Sequence, residues 1–251
     1  MNPYRVRTDD ENIRGPLVAL ELIYKDMPCT TGCDKCKEVN GDDAWWCCRT
    51  MNPSMYYSEF LLVWEHVQDN WSPERKSKLI VRAIKNYLSS ENIKGCIFFA
   101  EDKCNCYQRR PFMCRMYGLI PKESWDKRVG QLEERMKEGT TKWWRPQCEL
   151  VKAEKEISQE DEMTWFYQVR ESEIRIGMPH QFIKAHDHPA GCYRTFHDHL
   201  LLELLPSEGL NRLTELKLGK PTQEDIDKFA EAITEEVIST TPPTRGGVCL
   251  T

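Results

Sequence analysis

The stretch KCNCYQRRPFMCR, residues 103–115, places three thiols and four cations in one short segment. With a cysteine a few residues upstream, its thiols form a possible set of four metal ligands: Cys96, Cys104, Cys106 and Cys114. Four thiolates around a metal make a net negative centre, which is costly to bury unless hydrogen-bond donors and cations surround it. We therefore predict that Arg109, Arg110 and Arg115 contribute to cofactor binding. The alternative interpretation is a solvated run of charge beside structural cysteines.

A second group of thiols lies earlier in the chain, within CTTGCDKC and AWWCCR. It comprises Cys29, Cys33, Cys36, Cys47 and Cys48. A short loop with one glycine can turn the first three sulfurs toward a common centre, and nearby cations favour the thiolate form that binds metal. The adjacent pair is too closely spaced for an ordinary disulfide. At most one of the pair completes a given tetrahedral set, and the other binds a second metal or is a small buried hydrophobe. All nine cysteines of the two groups are predicted metal ligands.

The composition limits the function classes. The chain has 251 residues and a net charge of -5, which argues against a broad electrostatic surface for nucleic acid or anionic lipid. No apolar run approaches the roughly 20 residues of a membrane helix, and no secretory h-region is visible. Twelve cysteines without an export signal indicate a reducing cytoplasm, where thiols serve metals or redox chemistry.

Hydrophobic spacing predicts a mainly α fold with little β structure, in which an irregular cysteine-rich metal-cluster module is embedded in a helical domain. One helix should begin at Ser72 as N-cap with Pro73 in its first turn, and only residues 96–100 resemble a strand. Further helices are predicted over residues 55–71, 122–137, 159–172, 190–204 and 222–238. The predicted organisation is a polar N-terminal arm (1–20), a cysteine-cluster domain (21–150) and a helical C-terminal region (151–251) with a histidine-rich stretch and an irregular tail.

The thiol pattern is similar to that of a known family. The order Cys29, Cys33, Cys36, Cys47-Cys48, Cys96, then Cys104-x-Cys106-Tyr107-x-x-Arg110-Pro111-x-x-Cys114-Arg115, resembles the YkgJ-type cysteine-cluster family. That family has a CxxCxxCC start and a C-x-(I/V)-Y-x-x-R-P-x-x-C-R finish, and flagellin lysine N-methylases resemble the same module. The resemblance covers residues 29–118 and implies iron or zinc chelation. The chain departs from the family in the long spacer before Cys47 and in Cys106, where the family usually has an aliphatic residue.

The identity of the metal is not fixed by spacing, because iron and zinc both accept four thiolates. The chain has a single CxxC, Cys33-x-x-Cys36, and therefore lacks the regular paired knuckles of zinc fingers. Aromatic residues near the thiols can exclude water from a redox cluster. We predict one or two iron-sulfur clusters, most simply 4Fe-4S, with zinc as the alternative.

A histidine-rich stretch, residues 180–199, offers a further possible metal site. Its candidate ligands are His186, His188, Cys192 and His197. On a helix His197 and His199 would lie about 200° apart, so both cannot face one metal. The alternative is a solvated, metal-free patch.

Three functions are consistent with these residues. The first is a cytoplasmic iron-sulfur protein that transfers electrons or helps to mature a partner enzyme, and its partner would be a redox enzyme or a maturation target. The second is a cluster-dependent protein-modifying enzyme, because Cys29-x3-Cys33-x2-Cys36 has radical-SAM spacing and the methylase resemblance implies methyl transfer. The third is a zinc-stabilised interaction module. Whether the chain is an enzyme stays open, and neither nucleic acid binding nor membrane insertion is expected.

Overall fold

In a computed structural model of the chain, the described residues are 11–31, 35–41, 45–50, 52–89, 95–135, 150–155, 157–176 and 194–240. The prediction of a mainly α fold with little β structure is confirmed. The helices are α1 (Glu11–Asp26), α2 (Cys36–Asn40), α3 (Trp46–Thr50), α4 (Tyr57–Asn70), α5 (Pro73–Leu88), α6 (Phe112–Met116), α7 (Lys122–Arg135), α8 (Gln159–Ile176), α9 (Phe196–Leu204), α10 (Ser207–Leu218) and α11 (Gln223–Thr240). Among them, none is both long and apolar enough to cross a bilayer.

Short antiparallel strand pairs connect distant parts of the chain, and one pair forms the hairpin that carries Cys104. The strands are β1 (Thr30–Thr31), β2 (Ser54–Met55), β3 (Phe99–Ala100), β4 (Lys103–Cys104), β5 (Lys152–Ala153) and β6 (Arg194–Thr195). They pair as β1 with β5, β2 with β6, and β3 with β4. The predicted strand over residues 96–100 is therefore wrong for residues 96–98, because only Phe99 and Ala100 are extended and the preceding two residues form a turn.

The central helices form where the apolar spacing predicts them. In α4, Phe60, Leu61 and Val67 are buried almost completely, so this helix lies inside the fold. The α5 helix begins as predicted, with Pro73 in its first turn and the Ser72 side chain accepting a hydrogen bond from the Arg75 amide at 3.3 Å. That N-cap contact satisfies a backbone donor that the helix itself leaves unpaired.

One continuous core joins the early and late parts of the chain. The Phe60 ring of α4 lies 5.0 Å from the Phe196 ring of α9, and the α11 residue Ile233 belongs to the same buried cluster. Each such side chain contributes about 1.5–3 kcal/mol when it is fully buried. The regions predicted as 21–150 and 151–251 therefore share their hydrophobic core.

The N-terminal arm predicted for residues 1–20 needs correction. Residues 1–10 lie outside the described part of the chain, but residues 11–20 belong to α1, where Leu17 and Leu20 are fully buried. Together with Tyr24 they follow helical spacing, and α1 packs against α8. Apolar residues that stay exposed, such as Val18 and Leu22, concealed the spacing. Sequence reasoning also missed α10 altogether.

Candidate functional site

A cavity of about 90 Å³ is lined by six thiols. They are Cys47 and Cys48 of α3, Cys96 before β3, Cys104 of β4, Cys106 in the following turn and Cys114 of α6. Apolar side chains, among them Met55, Phe98 and Phe196, form much of the remaining wall. Two segments far apart in sequence thus place their sulfurs around one volume.

A close backbone approach brings α3 next to the Cys96 segment. The Cys96 amide donates a hydrogen bond of 2.8 Å to the Cys48 carbonyl. At the neighbouring position, a side chain on Gly95 would place its Cβ only 2.2 Å from the Arg49 carbonyl oxygen. Glycine is therefore needed at residue 95 because the two backbones almost touch there.

The hairpin that carries Cys104 is held from α5. Arg82 donates hydrogen bonds of 2.9 Å to the carbonyls of Ile97 and Phe99. The Asn105 amide closes the hairpin by donating to the Phe98 carbonyl at 2.9 Å. These contacts fix the backbone on both sides of the turn, and with it the position of the Cys104 sulfur.

A buried carboxylate anchors the helix that carries Cys114. Glu59 accepts hydrogen bonds from the Phe112 amide at the start of α6, from the Tyr24 hydroxyl and from the Tyr56 amide. Burial raises the pKa of Glu59, while the hydrogen bonds it accepts oppose that shift. Because Glu59 lies in the first turn of α4, it connects the central helix directly to the thiol site.

Cys104 and Cys106 form a close pair, with their sulfurs 3.8 Å apart. The hydrogen bond from Cys106 lowers the pKa of Cys104 to about 7, although burial opposes the shift. The same hydrogen bond, together with burial, raises the pKa of Cys106. The pair therefore combines a sulfur that ionises near neutral pH, Cys104, with a protonated thiol, Cys106.

Cys47 and Cys48 form a second pair of this kind, whereas the pKa values of Cys96 and Cys114 are both raised. Cys48 donates a hydrogen bond to Cys47, which lowers the pKa of Cys47 and raises that of Cys48. Burial raises the pKa of Cys96 to about 12 and also raises the pKa of Cys114. The thiolate of Cys104 adds to both of these increases, so the sulfurs act on one another electrostatically.

Of the three arginines predicted to bind a cofactor, Arg110 lines the cavity. Its guanidinium donates to the Thr30 hydroxyl at 3.2 Å and lies 4.3 Å from the centre of the Tyr107 ring. It lowers the pKa of Cys104 and of Cys114, although other causes outweigh it at Cys114.

The other two arginines are placed differently. Arg109 is paired with Glu21 of α1, and Arg115 donates to the carbonyls of Gln108 and Arg110 while it packs over the Tyr24 ring. Neither residue is on the cavity wall. Their contacts hold the backbone around Arg110, so these two arginines stabilise the loop and do not line the thiol cavity.

The early cysteines are not all brought to this cavity. Cys29 is exposed on the loop after α1, and Cys36 is buried at the start of α2, where its sulfur accepts a hydrogen bond from the Trp45 amide at 3.1 Å. Neither lines the cavity. Cys33 lies outside the described residues.

The histidine-rich stretch is described only from residue 194 onward. His186, His188 and Cys192 lie outside the described residues. The two histidines of α9 have separate partners, with His197 Nδ1 at 3.0 Å from the Asn52 amide nitrogen and His199 Nε2 at 3.0 Å from the Met55 carbonyl oxygen. Burial lowers the pKa of His199 to about 4, so this side chain is neutral at physiological pH.

The donor set of the cavity suits a soft metal. Thiolates select zinc, copper(I) and iron-sulfur clusters. Six cysteine sulfurs, the source of such ligands, line this volume. Within the described ranges, no three His, Cys, Asp or Glu side chains are grouped closely enough to hold a single metal ion. A water molecule needs about 10–15 Å³ of cavity volume, so the cavity has space for a body of several atoms.

Sequence reasoning missed several residues that build the site. Arg82, Glu59 and Asn52 were not predicted, although the first two hold cysteine-bearing segments and Asn52 lies on the cavity wall. No local pattern marks them, because each acts on residues that are distant in sequence. The pair Asn52-Pro53 before the helix predicted over residues 55–71 was the only available signal, and it indicates a turn rather than a site.

Comparison of the chain with protein-family models, with curated proteins and with solved structures finds no match. The resemblance to the YkgJ-type family therefore stays a prediction that depends on the motif residues themselves.

Proposed function

We propose that this chain is an iron-sulfur protein whose cluster is held by thiols of the six-cysteine cavity and which transfers electrons or matures a partner enzyme in a reducing cytoplasm. The observation that carries the proposal is the convergence of Cys47, Cys48, Cys96, Cys104, Cys106 and Cys114 on one cavity. Four of them suffice for a 2Fe-2S or a 4Fe-4S cluster. When bound, such a cluster supplies one-electron chemistry.

The size of the cavity favours a cluster over a single ion. A zinc ion held by four thiolates fills the space between sulfurs that are nearly in contact. The volume of about 90 Å³ is several times what one water molecule requires, which leaves room for inorganic sulfide and more than one iron. Arg110 offers positive charge on the wall, and the apolar side chains keep water away from most of it.

The position of the cavity supports electron transfer. Tyr107 lines the cavity and is also 43% exposed, so the thiols lie close to the protein surface. A carrier that exchanges electrons with another protein needs such a short distance to the surface. The partner would be a redox enzyme or an enzyme that requires the cluster for its maturation.

A zinc-stabilised interaction module is the second candidate. It is favoured by the distance of 3.8 Å between the Cys104 and Cys106 sulfurs. Tetrahedral zinc with Zn–S bonds of about 2.3 Å places its sulfurs about 3.8 Å apart. A 2Fe-2S cluster accepts the same pair, because two cysteines bind each iron, whereas in a 4Fe-4S cluster every cysteine binds a separate iron.

Anaerobic purification followed by metal and sulfide analysis tests the proposal. We expect iron and acid-labile sulfide in equal amounts, with two irons per chain for 2Fe-2S and four for 4Fe-4S. Zinc without sulfide would replace the proposal by the zinc module, and a folded chain without either metal would refute both.

Serine substitutions locate the ligands. Cys104→Ser and Cys114→Ser should lower the iron content strongly. Cys29→Ser is the matched control, because this thiol is exposed and does not line the cavity. If Cys29→Ser lost as much iron as the cavity variants, the cluster would have to lie elsewhere. Electron transfer is then measured by anaerobic reduction with dithionite and reoxidation with ferricyanide, which wild type should repeat reversibly.

A further inference from the structure

Asn52 lies on the wall of the thiol cavity and is held by a histidine far away in sequence. Its side-chain nitrogen is 3.0 Å from Nδ1 of His197 in the first turn of α9. His197 is buried, with 8% of its surface exposed. The side chain of an exposed loop residue would be free to rotate, whereas the hydrogen bond to the buried His197 ring fixes the orientation of the Asn52 side chain.

The surroundings of His197 favour one direction for that hydrogen bond. Its other ring nitrogen, Nε2, lies 3.6 Å from a carboxylate oxygen of Asp198. A proton on Nε2 is stabilised by this negative charge, and the neutral ring then leaves Nδ1 as an acceptor. With this tautomer of the neutral ring, the Asn52 amide donates to His197. The opposite orientation would place an unprotonated Nε2 against the carboxylate.

Asp198 is itself fixed. Its second carboxylate oxygen accepts a hydrogen bond of 2.6 Å from the Thr195 hydroxyl, and Thr195 caps α9 by accepting from the Asp198 amide. Thr195 also pairs with Ser54 in the β2–β6 ladder, two residues beyond Asn52. The same strand pair thus positions both partners of the Asn52–His197 hydrogen bond.

We propose that Asn52, oriented by His197, donates a hydrogen bond from its second amide N–H to a sulfur of the cofactor in the cavity and so raises the reduction potential of that cofactor. This inference rests on the proposed function. Hydrogen bonds to the sulfurs are among the features that set the potential of iron-sulfur clusters. The sulfurs carry more negative charge after reduction, so a donor stabilises the reduced state more than the oxidised state. In this arrangement Asn52 contacts the cofactor and His197 is a positioning residue.

The test is an anaerobic redox titration of the iron-sulfur protein, followed by EPR spectroscopy. At the wild-type midpoint potential, we expect the oxidised form of Asn52→Ala to exceed the reduced form about tenfold, which equals a shift of about 59 mV to more negative potential for one electron. Asn52→Asp, which also lacks the amide donor, should shift in the same direction. Wild-type potentials in both variants would overturn the inference.

Variants of His197 separate positioning from a purely structural role. His197→Phe should shift the potential as Asn52→Ala does, whereas His197→Asn, which keeps an acceptor near the position of Nδ1, should restore it. The matched control is Asn70→Ala, because Asn70 also lies beside a histidine, with its amide nitrogen 3.2 Å from His66 Nδ1 on the exposed end of α4. An equal shift in Asn70→Ala would overturn the inference.

A measurement without the cofactor completes the test. Nitrogen-15 NMR of the apoprotein should find His197 with its proton on Nε2, and a proton on Nδ1 would overturn the inference because Asn52 could not then donate. Absence of iron and sulfide from wild type, by contrast, refutes the proposed function itself. The two failures are therefore distinguished by the metal analysis of the unmodified chain.

Discussion

Gly95→Ala should break the contact between the two halves of the thiol cavity. The added Cβ would lie 2.2 Å from the Arg49 carbonyl oxygen, and such contacts essentially never occur below 3.0 Å. The two segments must therefore separate by about 0.8 Å. If the neighbouring Cys96–Cys48 hydrogen bond takes up this displacement, its length rises from 2.8 Å to about 3.6 Å, which is beyond hydrogen-bonding distance.

The energetic cost has two parts. Overpacking of this kind costs about 1–3 kcal/mol, and a lost hydrogen bond costs about 0.5–1.5 kcal/mol. We expect the free energy of unfolding to fall by about 2–4 kcal/mol in urea titrations of Gly95→Ala. Iron content after anaerobic purification should fall as well, because Cys47 and Cys48 would move away from the other sulfurs.

Gly130→Ala is the matched control for this substitution. Gly130 lies in α7, and a Cβ built there meets nothing within 4 Å. Replacing glycine by alanine inside a helix should raise the free energy of unfolding by about 0.4–1 kcal/mol. The reasoning would be refuted if Gly95→Ala kept the stability and iron content of wild type, or if both variants changed stability equally.

Three further predictions follow from buried charge. Burial raises the pKa of Glu173 from 4.5 to about 7, so its carboxyl group binds a proton more readily in the folded state. Relative to Glu173→Gln, wild type should therefore lose up to about 3 kcal/mol of stability as the pH rises from about 4.5 to 8. Urea unfolding at each pH measures this loss, and a constant difference in stability between the two proteins would contradict the prediction. Glu59→Gln places an amide N–H against one of the three donors that converge on this side chain. The free energy of unfolding should fall by about 1–3 kcal/mol as a result. An unchanged urea midpoint would contradict this, because it would show that the donors find other partners. Arg110→Met should lower the cluster's midpoint potential in a redox titration, because it removes positive charge from the cavity wall. Arg109→Met should leave that potential unchanged, because Arg109 pairs with Glu21. Equal shifts in the two variants would contradict the placement of Arg110 alone at the cluster.

The predictions from sequence succeeded where local spacing decides the outcome. Helix α5 begins at Ser72 and Pro73 because an N-cap followed by proline specifies a helix start without help from distant residues. The α1 helix was missed for the opposite reason. Its sequence mixes buried positions, such as Leu17 and Leu20, with apolar residues that stay exposed, such as Val18 and Leu22, so the buried face becomes apparent only when α8 packs against it.

Arg109 and Arg110 show why charge near thiols does not identify a site residue. The sequence places the two arginines side by side, and both were predicted to bind a cofactor. The turn that ends at Arg109 and the extended backbone at Arg110 separate their side chains. Glu21, 88 residues away, pairs with Arg109, while Thr30 holds Arg110 at the cavity. The roles of neighbouring cations are thus set by partners that no local motif contains.

The same distinction applies to the six cavity thiols. Cys104, Cys106 and Cys114 belong to one hairpin, turn and short helix, so local structure accounts for much of their proximity. Cys47 and Cys48 reach them through the approach of α3 to Gly95, which connects residues almost fifty positions apart. Fixing that approach costs chain entropy that only the completed core can offset. The cavity should therefore form together with the core, and the thiols should become reactive to alkylating reagents in one step when the apoprotein unfolds.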